Sequence, residues 1–169
     1  MGKDKLIWYV VYTKSRHEKK TAAYLNEKNI HNYLPTVKTV KQWSDRKKKV
    51  EEVLFRNYIF VQISNKDYYE VLNTPGVVRY VSIEGKAVRI SDRQMETIKN
   101  TVEHNFDFDV SMERFAKGET VKIENGPLKG TSGEIISFLG KKRLLIRINE
   151  IGYSLLVHVS PFDLKKTVL

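Results

Sequence analysis

Apolar residues along this chain fall in short clusters, and their spacing changes from one cluster to the next. Ile7 to Tyr12 is apolar throughout, as in a central strand. Ser15 and Glu18 have capping-box spacing. A helix is therefore expected through Tyr24 and Leu25, with Ala22, Ala23 and Leu25 inward. His31 to Pro35 begins a second strand, which Val37 to Val40 extends. Val50 to Phe55 predicts a third strand and Tyr58 to Ile63 a fourth. A helix is expected around Asp67 to Leu72, a strand at Val77 to Val81, and a last helix capped by Ser91 with Met95, Ile98 and Val102 on one face. This β-α-β-β-β-α-β-α order predicts an α+β domain, an antiparallel sheet with helices largely on one face.

Beyond residue 115 the pattern is strands only. Val121 and Ile123 alternate with charged residues, Asn125-Gly126-Pro127 forces a turn, and Gly130 and Gly133 permit backbone angles closed to other residues. Strands are expected at 120–123, 133–138, 144–148 and 153–159, with turns at Gly140-Lys-Lys142 and Asn149-Glu-Ile-Gly152. Short strands around glycine corners predict a small closed all-β barrel. Glu103 to Phe115 is acidic without helical or alternating periodicity and reads as a linker. The expected organisation is a domain at 5–102, a linker at 103–115 and a domain at 116–169.

The chain has 169 residues, 41% of them hydrophobic, which is enough for packed cores. Its net charge is +10. Residues 1–102 carry +9, residues 103–115 carry −3 and residues 116–169 carry +4. Positive charge concentrated in the first part points to a polyanion or an acidic protein surface. There is no cysteine, so no disulfide, zinc-thiolate site or thiol nucleophile. No apolar run approaches the ~20 residues of a membrane span. A cytoplasmic monomer without cofactor or metal is expected.

Three stretches could carry chemistry. In the strand at 58–63, Tyr58, Phe60 and Gln62 point one way and Ile59, Val61 and Ile63 the other. Two arrangements satisfy this pattern. Either the aromatics lie on an open docking face, with Tyr80 joining them, or they form the core. Lys14, Arg16, His17, Lys19 and Lys20 cluster at a helix start, and Arg46 to Lys49 lies in a hairpin. Both suit phosphate contacts, and both also suit a solvated surface. Trp43 beside the lysines either stacks on a base or braces the hairpin. Ile151 at its turn is either exposed or tucked beneath it. No enzyme is expected. The four histidines are scattered, no phosphate loop or nucleophile elbow occurs, and Glu51 and Glu52 point oppositely on a strand.

The segment Gly118 to Ile135 resembles the KOW motif of NusG-type elongation factors and of some ribosomal proteins. Trp8-Tyr9-Val10-Val11, Leu54 to Val61, Pro75-Gly76-Val77-Val78 and Arg89-Ile90-Ser91-Asp92 resemble successive landmarks of the NusG N-terminal domain, in the same order. Arg56 stands where that family usually has proline. The resemblance implies an NGN-like domain followed by an SH3-like KOW barrel. It also implies binding of the clamp helices of RNA polymerase, with Tyr12, Tyr58, Phe60 and Tyr80 matching residues of a hydrophobic depression. Lys14, Arg16, His17, Lys47 and Lys48 would face upstream or non-template DNA. Ile151 would contact a ribosomal protein or a termination factor. The hairpin Leu34-Pro35…Trp43-Ser44-Asp45-Arg46 looks like that of specialised RfaH-like or UpxY-like paralogs. One branch of the family refolds the barrel as helices; the alternation in Leu144–Ile148 predicts a stable barrel here. The competing expectation is an RRM-like or ribosome-associated RNA-binding protein, since Arg56, Tyr58, Phe60 and Val61 partly fit the RNP1 pattern.

Overall fold

The computed structural model describes residues 4–104, 107–126, 128–159 and 164–166. The chain divides into two compact units, Met1–Met95 and Glu96–Leu169.

In the first unit, β1 (Ile7–Thr13) leads to α1 (Glu18–Glu27), β2 (His31–Tyr33), the ribbon β3 (Thr36–Gln42) and β4 (Lys47–Val53), and β5 (Tyr58–Ile63). A single 3-10 turn, α2 (Tyr68–Leu72), β6 (Val77–Tyr80) and the short strands β7 (Ser82–Ile83), β8 (Lys86–Ala87) and β9 (Arg89–Ile90) follow. The main sheet runs β2-β5-β1-β6, with β9 also on β1; every pairing is antiparallel. The continuous apolar run of β1 thus sits at the centre, as expected.

One face of this sheet packs Tyr9, Val11, Ile59, Val61, Ile63 and Tyr80 with Ala22 and Leu25 of α1 and Val71 of α2. The opposite face is buried in part. Trp8, Val10 and Phe60 are buried there, so burial is not confined to the face under α1 and α2. Helix α1 lacks its expected cap. His17 occupies the N-cap position with no side-chain hydrogen bond, and Arg16 before it is left-handed at φ 61°. The Glu18 carboxylate turns inward instead and accepts the Asn57 N–H at 2.8 Å. Ala23 is exposed. Ser91 does cap the last helix, α3 (Asp92–Glu103), accepting the Gln94 N–H at 3.1 Å. The buried stripe of α3 is Met95, Ile98 and Thr101; Val102 is half-buried.

The second unit is all-β after α3: β10 (Phe108–Ser111), β11 (Glu119–Ile123), β12 (Ser132–Phe138), β13 (Lys141–Ile148), β14 (Tyr153–Val157) and β15 (Leu164–Lys166). They form one antiparallel sheet in the order β10-β14-β13-β12-β11-β15. Two features depart from expectation. The division between units falls inside α3, and the segment read as linker contains a strand, because β10 pairs residue by residue with β14. Asn105, Phe106 and Pro127 lie outside the described residues. Gly130 is left-handed at φ 86°, as its turn requires. Gly133 is needed for closeness instead. A Cβ there would lie 2.8 Å from the Leu145 carbonyl oxygen.

The β12–β13 connection is a two-residue loop, Leu139-Gly140, with positive φ at both positions (48° and 73°). Both signs fit a type I′ turn, which favours Asn, Asp or Gly. Leu139 is 84% exposed, so its side chain gains little to offset the left-handed backbone. Leu139→Asn is expected to raise the stability of this unit by about 0.5–1 kcal/mol. An unchanged or lower melting midpoint would refute that.

Candidate functional site

Strand register decides which aromatics meet. Tyr12 on β1 sits opposite Tyr58 on β5, and their half-buried rings contact edge to face at 5.5 Å. On the other side of β1, Tyr12 faces Arg79 of β6, whose guanidinium carbon lies 5.3 Å from the Tyr12 ring centre. Phe60 is on the same sheet face but fully buried, edge to face with the equally buried Phe55 at 6.2 Å. It supports the surface without belonging to it.

Tyr80 corrects the expected open-face group. It pairs with Val11, one residue from Tyr12, and so lies on the helix-covered face. Its ring stacks on Tyr68 at 4.1 Å and its hydroxyl donates to the Tyr68 carbonyl oxygen at 3.0 Å. Burial raises its phenol pKa well above the usual tyrosine range. Of the four aromatics, only Tyr12 and Tyr58 reach solvent appreciably, with Arg79 beside them. Arg79 had no signal in the sequence, since only the β1–β6 register reveals its neighbour.

Lys14, Arg16 and His17 are all exposed in the β1–α1 loop. His17 Nδ1–H donates to the Ser15 carbonyl oxygen at 2.9 Å, and the Lys14 N–H donates to Gly76 at 2.9 Å, which fixes the loop. Arg16 also lines a polar cleft of about 420 Å³ with Ser15, Glu18, Glu52, Arg56 and Asn57. Lys19 is committed elsewhere, since its Nζ donates to the Glu51 carbonyl oxygen at 2.7 Å and ties α1 to the ribbon.

The ribbon pairs Gln42 with Lys47 and Lys41 with Lys48, so Lys47 and Lys48 project from opposite faces. Glu51 and Glu52 likewise diverge. The first accepts from Thr36 Oγ1 at 2.7 Å; the second pairs with Lys41. These partners hold both carboxyls below the usual carboxylate range. Trp43, at the base of the ribbon tip, is 56% exposed.

In the second unit, Ile151 is buried at 5% exposure inside its own turn, where its N–H donates to the Ile148 carbonyl oxygen. As it stands it offers a partner nothing, which settles the open choice of its placement. The large apolar side chains that are exposed in this unit, among the described residues, are Met112 and Leu139. No group of three or more His, Asp or Glu side chains suited to a metal occurs among the described residues. No helix there is long and apolar enough to cross a membrane.

The chain is a two-part protein of the α+β then all-β class, a sheet unit presenting aromatic rings and cations followed by an all-β unit with glycine corners. A family model described as "Transcription termination factor nusG" matches residues 6–99. That is more than half of the chain, and the chain belongs to the NusG family of transcription termination and antitermination factors. It is 29% identical over 164 residues to the transcription termination/antitermination protein NusG of Bacillus subtilis, covering 86% of this chain and 89% of that protein. It is 25% identical over 158 residues to NusG of Haemophilus influenzae, covering 86% and 85%. A solved structure concerning domain interaction in Thermotoga maritima NusG matches with a TM-score of 0.53 at 24% identity, covering 96% of this chain and 97% of that one, and shares the fold.

Proposed function

We propose that the first unit binds RNA polymerase through the Tyr12–Tyr58–Arg79 surface, with Phe60 as its buried support. The observation that carries this reading is the half-buried edge-to-face tyrosine pair beside an arginine, on a sheet face away from α1 and α2. Rings and arginine are the residue types that dominate protein interfaces. The clamp helices are the part of polymerase that the family resemblance assigns to this face. A factor that binds the closed clamp preferentially lowers pausing by shifting that population.

Lys14, Arg16 and His17, with Lys47 or Lys48 from one or the other face of the ribbon, would meet upstream or non-template DNA. The second unit would recruit a further partner, a ribosomal protein or a termination factor. The resemblance of the hairpin residues Leu34-Pro35 and Trp43-Ser44-Asp45-Arg46 to those of RfaH-like or UpxY-like proteins supports a specialised paralog acting on selected operons.

The RNA-platform alternative is weakened by Phe60. A ring sealed from water cannot stack on a base, which leaves such a platform only Tyr12 and Tyr58 of the proposed rings.

The test is binding of purified polymerase to the full chain. Tyr12→Ala/Tyr58→Ala and Arg79→Ala are expected to weaken it about 10- to 100-fold, the scale of interface hot spots. Tyr80→Phe, which keeps the stacked ring in the core, should leave it unchanged. Equal affinity for the parent and the double alanine variant would end this reading. Loss of single-stranded RNA binding by the same variants, without polymerase present, would favour the alternative.

A further inference from the structure

Strand β10 is an unusual member of its sheet. It comes from the most acidic stretch of the chain, it has four residues, and none of them is fully buried. The strand it pairs with is different in kind: four of the five residues of β14, Ser154 to Val157, are buried. Phe108 and Val110 are half-buried, while Asp107 and Asp109 project outward on the alternate side. There they flank one imidazole. His158 Nδ1 lies 3.2 Å from Asp107 Oδ2, and its Nε2 lies 3.9 Å from Asp109 Oδ2. The His158 N–H also donates to the Asp107 carbonyl oxygen at 2.9 Å. The remaining register sets Phe108 opposite Val157 and Ser111 opposite Ser154.

A short edge strand held by solvent-exposed carboxylate–imidazole contacts and half-buried side chains belongs to the low-stability end of a fold. Detached, it would leave the backbone of β14 as an unpaired edge above a finished core, a ready template for another strand. The resident segment displays the chemistry that fits there: carboxylates at alternate positions for His158, and apolar residues between them.

We propose that the β14 edge is a peptide-binding edge, that β10 is its displaceable resident, and that the partner offers an extended acidic strand of Asp-apolar-Asp-apolar character. This deepens the recruitment role proposed for the second unit and rests on that reading for its biological setting. Competition is built in. A tethered segment acts at an effective concentration of about millimolar, so a partner displaces it only by offering a longer strand or further contacts.

The Asp107–His158 hydrogen bond marks that pair as a hydrogen-bonded pair of the antiparallel ladder, and so Asp109, two residues on, is another. Asp109→Pro therefore removes a ladder donor together with a carboxylate, and should undock β10. The probe is a fluorescein-labelled peptide with the sequence of residues 107–112, titrated against the full-length chain by anisotropy. The Asp109→Pro chain is expected to bind it at least tenfold more tightly than the parent. His158→Ala in that background should reverse most of the gain, and amide shifts should map to Ser154–Val157. If Asp109→Pro does not fold, the near-isosteric Asp107→Asn/Asp109→Asn chain should still bind the peptide several-fold more tightly than the parent.

No gain in either variant overturns the proposal. So does a gain whose shifts map away from Ser154–Val157, or self-association of Asp109→Pro without peptide binding, which would make the edge a contact between copies. The titration contains no polymerase, so its outcome is independent of the test of the first unit.

Discussion

Phe60→Ala is expected to cost the first unit about 3–5 kcal/mol, the range for removing a large buried aromatic side chain. The ring is fully buried, faces Val10 across the β1–β5 ladder, and contacts Phe55 edge to face. β1 and β5 are neighbours at the middle of the sheet, where little backbone adjustment is available to fill a void. Small domains are stable by only about 5–15 kcal/mol, so this loss leaves the unit marginal. The two units form separate contact clusters, and calorimetry of the full chain should show the first transition falling steeply while that of the all-β unit holds. Phe60→Leu keeps the site apolar at reduced volume and should cost far less. The pair of variants also separates two roles. If Phe60 is support and not contact, Phe60→Leu keeps polymerase binding near the parent level. A loss of that binding in a well-folded Phe60→Leu chain would place Phe60 on the interface itself. A stability loss below about 1 kcal/mol for the alanine variant would contradict the packing described here.

The surface around Tyr58 shows how far a sequence reaches and where it stops. Alternation along one strand separates Tyr58 and Phe60 from Ile59 and Val61, and the structure keeps that separation. Alternation is silent on register between strands, and a shift of one residue exchanges faces. The pairings of Val11 with Tyr80 and Tyr12 with Arg79 therefore decide which side chains lie beside Tyr12 on its face. They removed one aromatic and supplied a cation.

The same limit explains α1. Ser15 and Glu18 carry a local capping signal, but a partner distant in sequence, the Asn57 N–H, took the carboxylate. Strands bounded by glycine turns were legible from 119 to 157 because turn chemistry and alternation agree there. β10 was harder. Asp107-Phe-Asp-Val110 does alternate, but over four residues, and its acidic composition reads as solvated until His158 is placed beside it. The choice left open for Ile151 was a matter of burial depth, which a hairpin pattern does not encode.

The second large effect belongs to Arg147, a residue with no sequence signal beyond its place in an alternating strand. Its Nε donates to Glu134 Oε1 at 2.8 Å, and its Nη2 donates to Glu134 Oε2 at 3.1 Å, a bidentate pair across neighbouring strands. The same Nη2 reaches the carbonyl oxygens of Phe115 and Ala116 at 3.1 and 3.2 Å, while Glu134 Oε2 accepts the Gly118 N–H at 2.8 Å. Two charged side chains thus fasten the backbone leading into β11. Gly118 allows the approach, since a Cβ there would lie 2.3 Å from the Ile135 carbonyl oxygen. Both side chains are largely shielded, at 26% and 19% exposure. Arg147→Ala strands a shielded carboxylate and frees two carbonyls, and should destabilise the second unit by about 2–3 kcal/mol, below the cost of breaking a fully buried pair.

The pair also predicts a pH dependence. The Arg147 hydrogen bond, followed by the Gly118 N–H, holds the Glu134 carboxyl below its ordinary value of 4.5. A carboxyl depressed in the folded state binds fewer protons there than in the unfolded chain, so its stabilisation is complete above about pH 5 and drains away as pH falls through the folded value. Denaturation of the second unit in urea, followed from pH 7 down to pH 3, should steepen below about pH 4.5, and Glu134→Gln should flatten that limb. If the parent and Glu134→Gln lose stability in parallel over that range, Glu134 is not the titrating group. If Arg147→Ala leaves the midpoint unmoved at pH 7, the clasp contributes nothing to the fold.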